Sequence, residues 1–94
     1  MHLKGRMVAT GVEAMGAAMR RLRQGRGLTL RQVADACGCT SEVNLSRAET
    51  GRQWLPADTL FTVGAVLGYE RRSDWLIALA QELRAMDRGD GKGR

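Results

Sequence analysis

Aromatic residues are almost missing from this 94-residue chain: Trp54, Phe61, Tyr69 and Trp75 are the only ones. Apolar packing therefore falls to Ala, Leu, Val and Met, a set suited to helix against helix. No alternating run of β-branched and aromatic residues is present to build a sheet. Cysteine occurs only as Cys37 and Cys39. A Cys-x-Cys pair with no nearby His and no second pair is a poor zinc signal, so reduced thiols packed as small core residues are expected. His2 has no Ser or Cys partner and no motif places a carboxylate pair, so an enzyme is not expected. The Gly-rich C-terminus lacks the strand and helix context of a phosphate loop. No window approaches the roughly 18 apolar residues of a membrane span, and Lys4 and Arg6 interrupt the N-terminal apolar stretch where a signal peptide would need continuity. The expectation is a cytoplasmic protein with no metal, no cofactor and no membrane partner.

Acidic charge is scarce in the first third. From Met1 to Arg31, Glu13 alone faces Lys4, Arg6, Arg20, Arg21, Arg23, Arg26 and Arg31, and the whole chain carries a formal +5. Such a balance favours an anionic partner, and Arg is better than Lys at gripping one through two parallel hydrogen bonds. The length allows one domain and one hydrophobic core.

Residues 1–11 hold no helical period and are expected to be a flexible arm or a short extended segment. From Val12, apolar residues recur at spacings of three and four (Met15, Met19, Leu22), and Gly25 and Gly27 end this first helix. Thr29 and Gln32 form a capping box for a second helix that buries Leu30, Val33, Ala34 and Cys37 and stops at Gly38. Thr40 or Ser41 caps a third helix, inward at Leu45 and Ala48, that ends before Gly51. Pro56 and Asp58 open a fourth, inward at Leu60, Val63 and Leu67, which Gly68 closes. Ser73 and Asp74 open a fifth that runs to about Asp87, and residues 88–94 are expected to be a disordered tail. The fold class read from this pattern is all-α, with five helices.

Between Met15 and Tyr69 the chain resembles the phage repressor/Cro helix-turn-helix family, also called the XRE family. The matching residues are Met15-Gly16, Met19, Leu22-Arg23, Arg26-Gly27-Leu28-Thr29, Val33-Ala34, Gly38, Leu45-Ser46-Arg47, Glu49, Gly51, Pro56, Thr59-Leu60 and Leu67-Gly68. The resemblance implies a helix-turn-helix DNA-binding domain over 12–70 and a further helix over 71–87. From Gly38 to Gly51 the chain is one residue longer than the usual family spacing. The extra residue falls at Cys39 or Thr40, in the turn, or else within the first turn of the third helix. Leu30 is a second departure, since many relatives carry a Gln there that touches the DNA backbone.

The resemblance also implies roles. Ser41, Glu42, Asn44 and Arg47 would lie on the exposed side of the recognition helix and read bases: Arg47 a guanine, Asn44 an adenine, Glu42 a cytosine. Arg31, Arg52 and Gln53 would hold phosphates, helped by the backbone N–H groups that open the second helix. Glu49 would pair with Arg23 as a structural ion pair. Trp54 and Trp75 are expected in the core, or Trp75 in a dimer contact. The fifth helix carries Trp75, Leu76, Leu79, Leu83 and Met86, more apolar surface than a lone monomer needs to cover, and is expected to form a two-fold homodimer interface. The implied activity is transcriptional repression at a palindromic operator, of the kind found in phages and plasmids. The alternative is an antitoxin that binds its own operator and a toxin protein. A co-repressor is another possible protein partner, and an RNA-binding or enzyme-accessory module is a third reading.

Overall fold

Short capping signals set the ends of most helices. The computed structural model describes residues 11–88, and these form α1 (Gly11–Gly25), α2 (Leu30–Cys37), α3 (Glu42–Glu49), α4 (Ala57–Val66) and α5 (Arg72–Asp87). The fold is all-α, with no strand among the described residues. The expected arm, apart from Gly11, and the expected tail, apart from Arg88, lie outside the described residues. Gly11 itself begins α1, and Arg88 forms the C-terminal cap of α5.

Thr29 caps α2: its Oγ1 accepts from the Gln32 N–H at 3.0 Å, and the Gln32 Oε1 accepts from the Thr29 N–H at 2.9 Å. Such a reciprocal pair satisfies two donors that an open helix end leaves orphaned. At the other end Gly38 adopts φ +72°, a left-handed conformation that costs glycine little, and its N–H closes on Ala34 O at 3.1 Å. Ser41, not Thr40, caps α3, accepting the Asn44 N–H at 3.1 Å. α5 starts one residue before the expected Ser73, and Arg71 occupies the cap position with no side-chain cap hydrogen bond.

One core joins all five helices: Ala18 and Met19 from α1, Val33 and Ala34 from α2, Leu45 and Ala48 from α3, Leu60 and Val63 from α4, Trp75 and Leu79 from α5. Here the structure corrects the reading of α5. Trp75 and Leu79 are each 1% exposed, with Leu83 and Met86 half-buried against the same core. Trp75 and Leu79 are thus enclosed in the core of their own chain, where α5 packs on α1 and α4, and are not surface for a second copy. Gly64 shows why: a Cβ there would strike the Trp75 ring, so the bare backbone of α4 is the seat of the indole. The Trp75 Nε1–H donates to Leu60 O at 3.0 Å, and the ring lies 5.4 Å from that of Tyr69. Burying a side chain of this size contributes roughly 4–6 kcal/mol from area alone. The 71–87 helix is therefore part of the domain core. Leu76 is off this stripe, 45% exposed beside Ile77 at 54%.

Cys39 is a second correction. It is exposed in the turn, its Sγ 4.0 Å from Thr59 Oγ1, whereas Cys37 is half-buried against the core. A residue just beyond a left-handed glycine cap has left the helix, so periodicity does not govern where it points.

Candidate nucleic-acid interface

α3 is held from behind at two points. Gly16 of α1 lies so close to the last turn of α3 that a Cβ would collide with Ala48 O and come within 2.8 Å of Glu49 O. Arg23 then clamps Glu49: its Nε donates to Oε2 at 2.7 Å, its Nη2 to Oε1 at 3.0 Å, and its Nη1 to Leu28 O at 2.6 Å. Both side chains are buried, which suits a two-pronged, charge-assisted pair. Leu45 and Ala48 fill the remaining inward face.

With Leu45, Ala48 and Glu49 inward and about 100° between successive residues, the centre of the outward face falls on Val43, Arg47 and Thr50. Val43 is 57% exposed, and Arg47 and Thr50 are exposed. Glu42 and Asn44 are exposed but stand about 100° to either side of Val43. A groove of about 460 Å³ runs along this face, lined by Leu30 of α2, by Glu42, Val43, Ser46, Arg47 and Thr50, and by Arg52 beyond the helix.

The other residues singled out from the sequence fall around this face. Arg31, on the first turn of α2, is exposed and lies 3.8 Å from Asp35 one turn on. The Arg52 N–H closes on Arg47 O at 2.9 Å, which brings the loop back under the end of α3. Gln53 Nε2 donates to Asn44 Oδ1 at 3.4 Å, so these two side chains meet. The Ser41 oxygen is engaged as the cap of α3. Sequence reasoning missed Val43, Ser46, Thr50 and Leu30 as members of this face. The signal was present, since the wheel drawn from Leu45 and Ala48 points Val43 outward.

Beside the interface, burial pushes the Cys37 thiol pKa up, and Cys39 adds to the rise. A protonated sulfur is a poor nucleophile and a poor metal ligand. Among the described residues no group of three or more His, Cys, Asp or Glu is placed to hold a metal ion. No helix among them is long and apolar enough to cross a membrane.

Residues 14–75 match the helix-turn-helix domain family. The chain belongs to that family. Two solved structures of the clp gene regulator ClgR from Corynebacterium glutamicum are similar to this helix-turn-helix protein. One has 35% sequence identity and a TM-score of 0.69, covering 85% of this chain and 99% of the other. The second has 33% identity and a TM-score of 0.70, covering 87% and 85%. A comparison with curated proteins finds no match. The match spans α2, α3 and α4 of this helix-turn-helix protein, with most of α1 and the start of α5, and α2 connects to α3 through residues 38–41. α3 is regular from its Ser41 cap onward.

Proposed function

We propose that this helix-turn-helix protein is a sequence-specific double-stranded DNA-binding transcriptional regulator of the repressor/Cro type, working as a homodimer at a palindromic operator. The observation that carries the proposal is the outward face of α3, where Arg47 stands at the centre of an exposed strip backed by a rigid core. A helix about 10–12 Å across fits a major groove about 12 Å wide. In that groove Arg47 pairs with guanine O6 and N7. Arg31 from α2 and Arg52 with Gln53 from the loop reach phosphates, which fixes the register of the helix. Asn44, met by Gln53, and Glu42 work at the two margins of the strip, and Ser41, whose oxygen already accepts the Asn44 N–H, has its hydroxyl proton and one lone pair left for DNA. The likeness to a gene regulator at 35% identity supports the same reading.

A single α3 reads few base pairs, and two of them set about 34 Å apart read a palindrome. Leu76 and Ile77 on the outer side of α5, with exposed Ala80 one turn on, supply the apolar surface for that pairing. Repression follows by occlusion when the operator overlaps a promoter. The test is enrichment of bound duplexes from a random pool, followed by a salt titration. The expected product is a two-fold symmetric site whose binding weakens steeply with salt. Enrichment of no common sequence, or tighter binding to RNA than to duplex DNA, overturns the proposal.

A further inference from the structure

The outward face of α3 contains one residue that neither phosphate nor a polar base edge explains. Val43 is 57% exposed at the centre of the strip, and Leu30, half-buried, from the first turn of α2, lines the same groove. They are the two apolar residues of that lining, an apolar notch among Glu42, Ser46, Arg47, Thr50 and Arg52. A β-branched residue in a helix holds essentially one χ1 rotamer, so the Val43 methyls are fixed before any partner arrives. The major groove offers one apolar group on its base edges, the C5-methyl of thymine.

We infer that the Val43–Leu30 notch seats a thymine methyl, making Val43 a specificity-determining residue of this protein. The inference rests on the DNA-binding reading above and names part of what that reading recognises. Arg47 follows Val43 by one helical turn on the same face, about 6 Å along the axis. Base pairs are stacked about 3.4 Å apart. The thymine therefore falls within two base pairs of the guanine that Arg47 takes, once in each half-site.

The experiment crosses protein and DNA. A duplex enriched from a random pool is remade with each thymine in turn replaced by deoxyuridine, which removes the methyl and nothing else. Wild type and Val43→Ala are titrated against every duplex. Wild type is expected to lose roughly threefold to fivefold at one position per half-site, the effect of one buried methyl-sized group at about 0.8 kcal/mol. Val43→Ala is expected to bind the thymine and deoxyuridine duplexes alike there, with an unchanged salt dependence because no charge has been touched. Val43 is exposed, so the variant keeps its fold, and an unchanged melting temperature verifies that. A wild type indifferent to every deoxyuridine, or a Val43→Ala protein with the same methyl preference, overturns the inference while leaving the DNA-binding reading standing. Failure to enrich any duplex overturns both.

Discussion

Glu49 is buried at the end of α3 with both carboxylate oxygens held by Arg23. Arg23→Ala strands that charge away from water, an expected loss of about 3–5 kcal/mol in stability. Arg20 is exposed, and Arg20→Ala is expected to change the same denaturation curve by less than about 0.5 kcal/mol. Equal unfolding midpoints for the two variants would show that the clamp carries no weight. Arg47 and Arg52 differ in another way. Arg47→Ala should lose roughly 1–3 kcal/mol on the enriched duplex and relax preference at one base pair per half-site. Arg52→Ala should weaken enriched and scrambled duplexes alike and lower the salt slope by about one. Titration of both variants on both duplexes separates the roles, and Arg47→Ala weakening both duplexes equally removes it as a base reader. The basic first third of the chain also looks different once folded. Arg21 pairs with Glu82 at 3.1 Å, Arg23 with Glu49, and Arg26 lies 5.0 Å over the Tyr69 ring. Part of the charge that suggested an anionic partner is thus engaged within the molecule, and among the described residues the cations that line the α3 groove are Arg47 and Arg52.

Among the elements, α1 and α3 approach most closely at Gly16, whose Cβ position is filled by backbone of α3. Alanine ordinarily stabilises a helix by about 0.8–1 kcal/mol over glycine. Gly16→Ala is nevertheless expected to destabilise by about 1–3 kcal/mol, because backbone cannot move aside as a flexible side chain can. Gly25→Ala is the control: nothing lies near its Cβ position and its φ is not positive, so little or no loss is expected. Thermal melts of the two variants check the pair, and a Gly16→Ala protein as stable as wild type would refute the close crossing. Helix ends were legible in the sequence because capping is local chemistry: Thr29 with Gln32, Gly38 and Pro56 each act on residues within one turn. What lies opposite a helix was not legible. The stripe of Trp75, Leu79, Leu83 and Met86 announces a buried face, yet periodicity is silent on whether its own chain or another covers it. The seat at Gly64 decides that, and it is a long-range fact. Val43 was given no role from the sequence, although the inward pair Leu45 and Ala48 already turns it outward. The placing of Glu42 and Asn44 at the margins of the α3 face needs the start of the helix, which the Ser41 cap supplies.

At the scale of the whole molecule, removing Trp75 and Leu79 from the surface narrows the proposed pairing to the outer side of α5. Ile77→Asp and Leu76→Asp are expected to shift a sedimenting dimer to monomer while leaving the melting of the monomer core nearly unchanged, because both residues are half exposed already. A wild type that sediments as a monomer at high concentration, or an Ile77→Asp, Leu76→Asp double variant that still sediments as a dimer, rules out this face. The scarcity of aromatic residues has a further effect. Trp75 is enclosed, its ring nitrogen bound to Leu60 O, whereas Trp54 is half-buried directly after Arg52 and Gln53. The near-ultraviolet emission of the protein therefore comes from two indoles in unlike surroundings. Trp75 senses closure of the five-helix core alone, whereas Trp54, packed on the edge of that core, is also expected to sense whether the loop at the end of α3 has been covered. A Trp54→Phe protein isolates the first signal, so its comparison with wild type separates folding from duplex binding, without a dye and without altering the face proposed to do the reading.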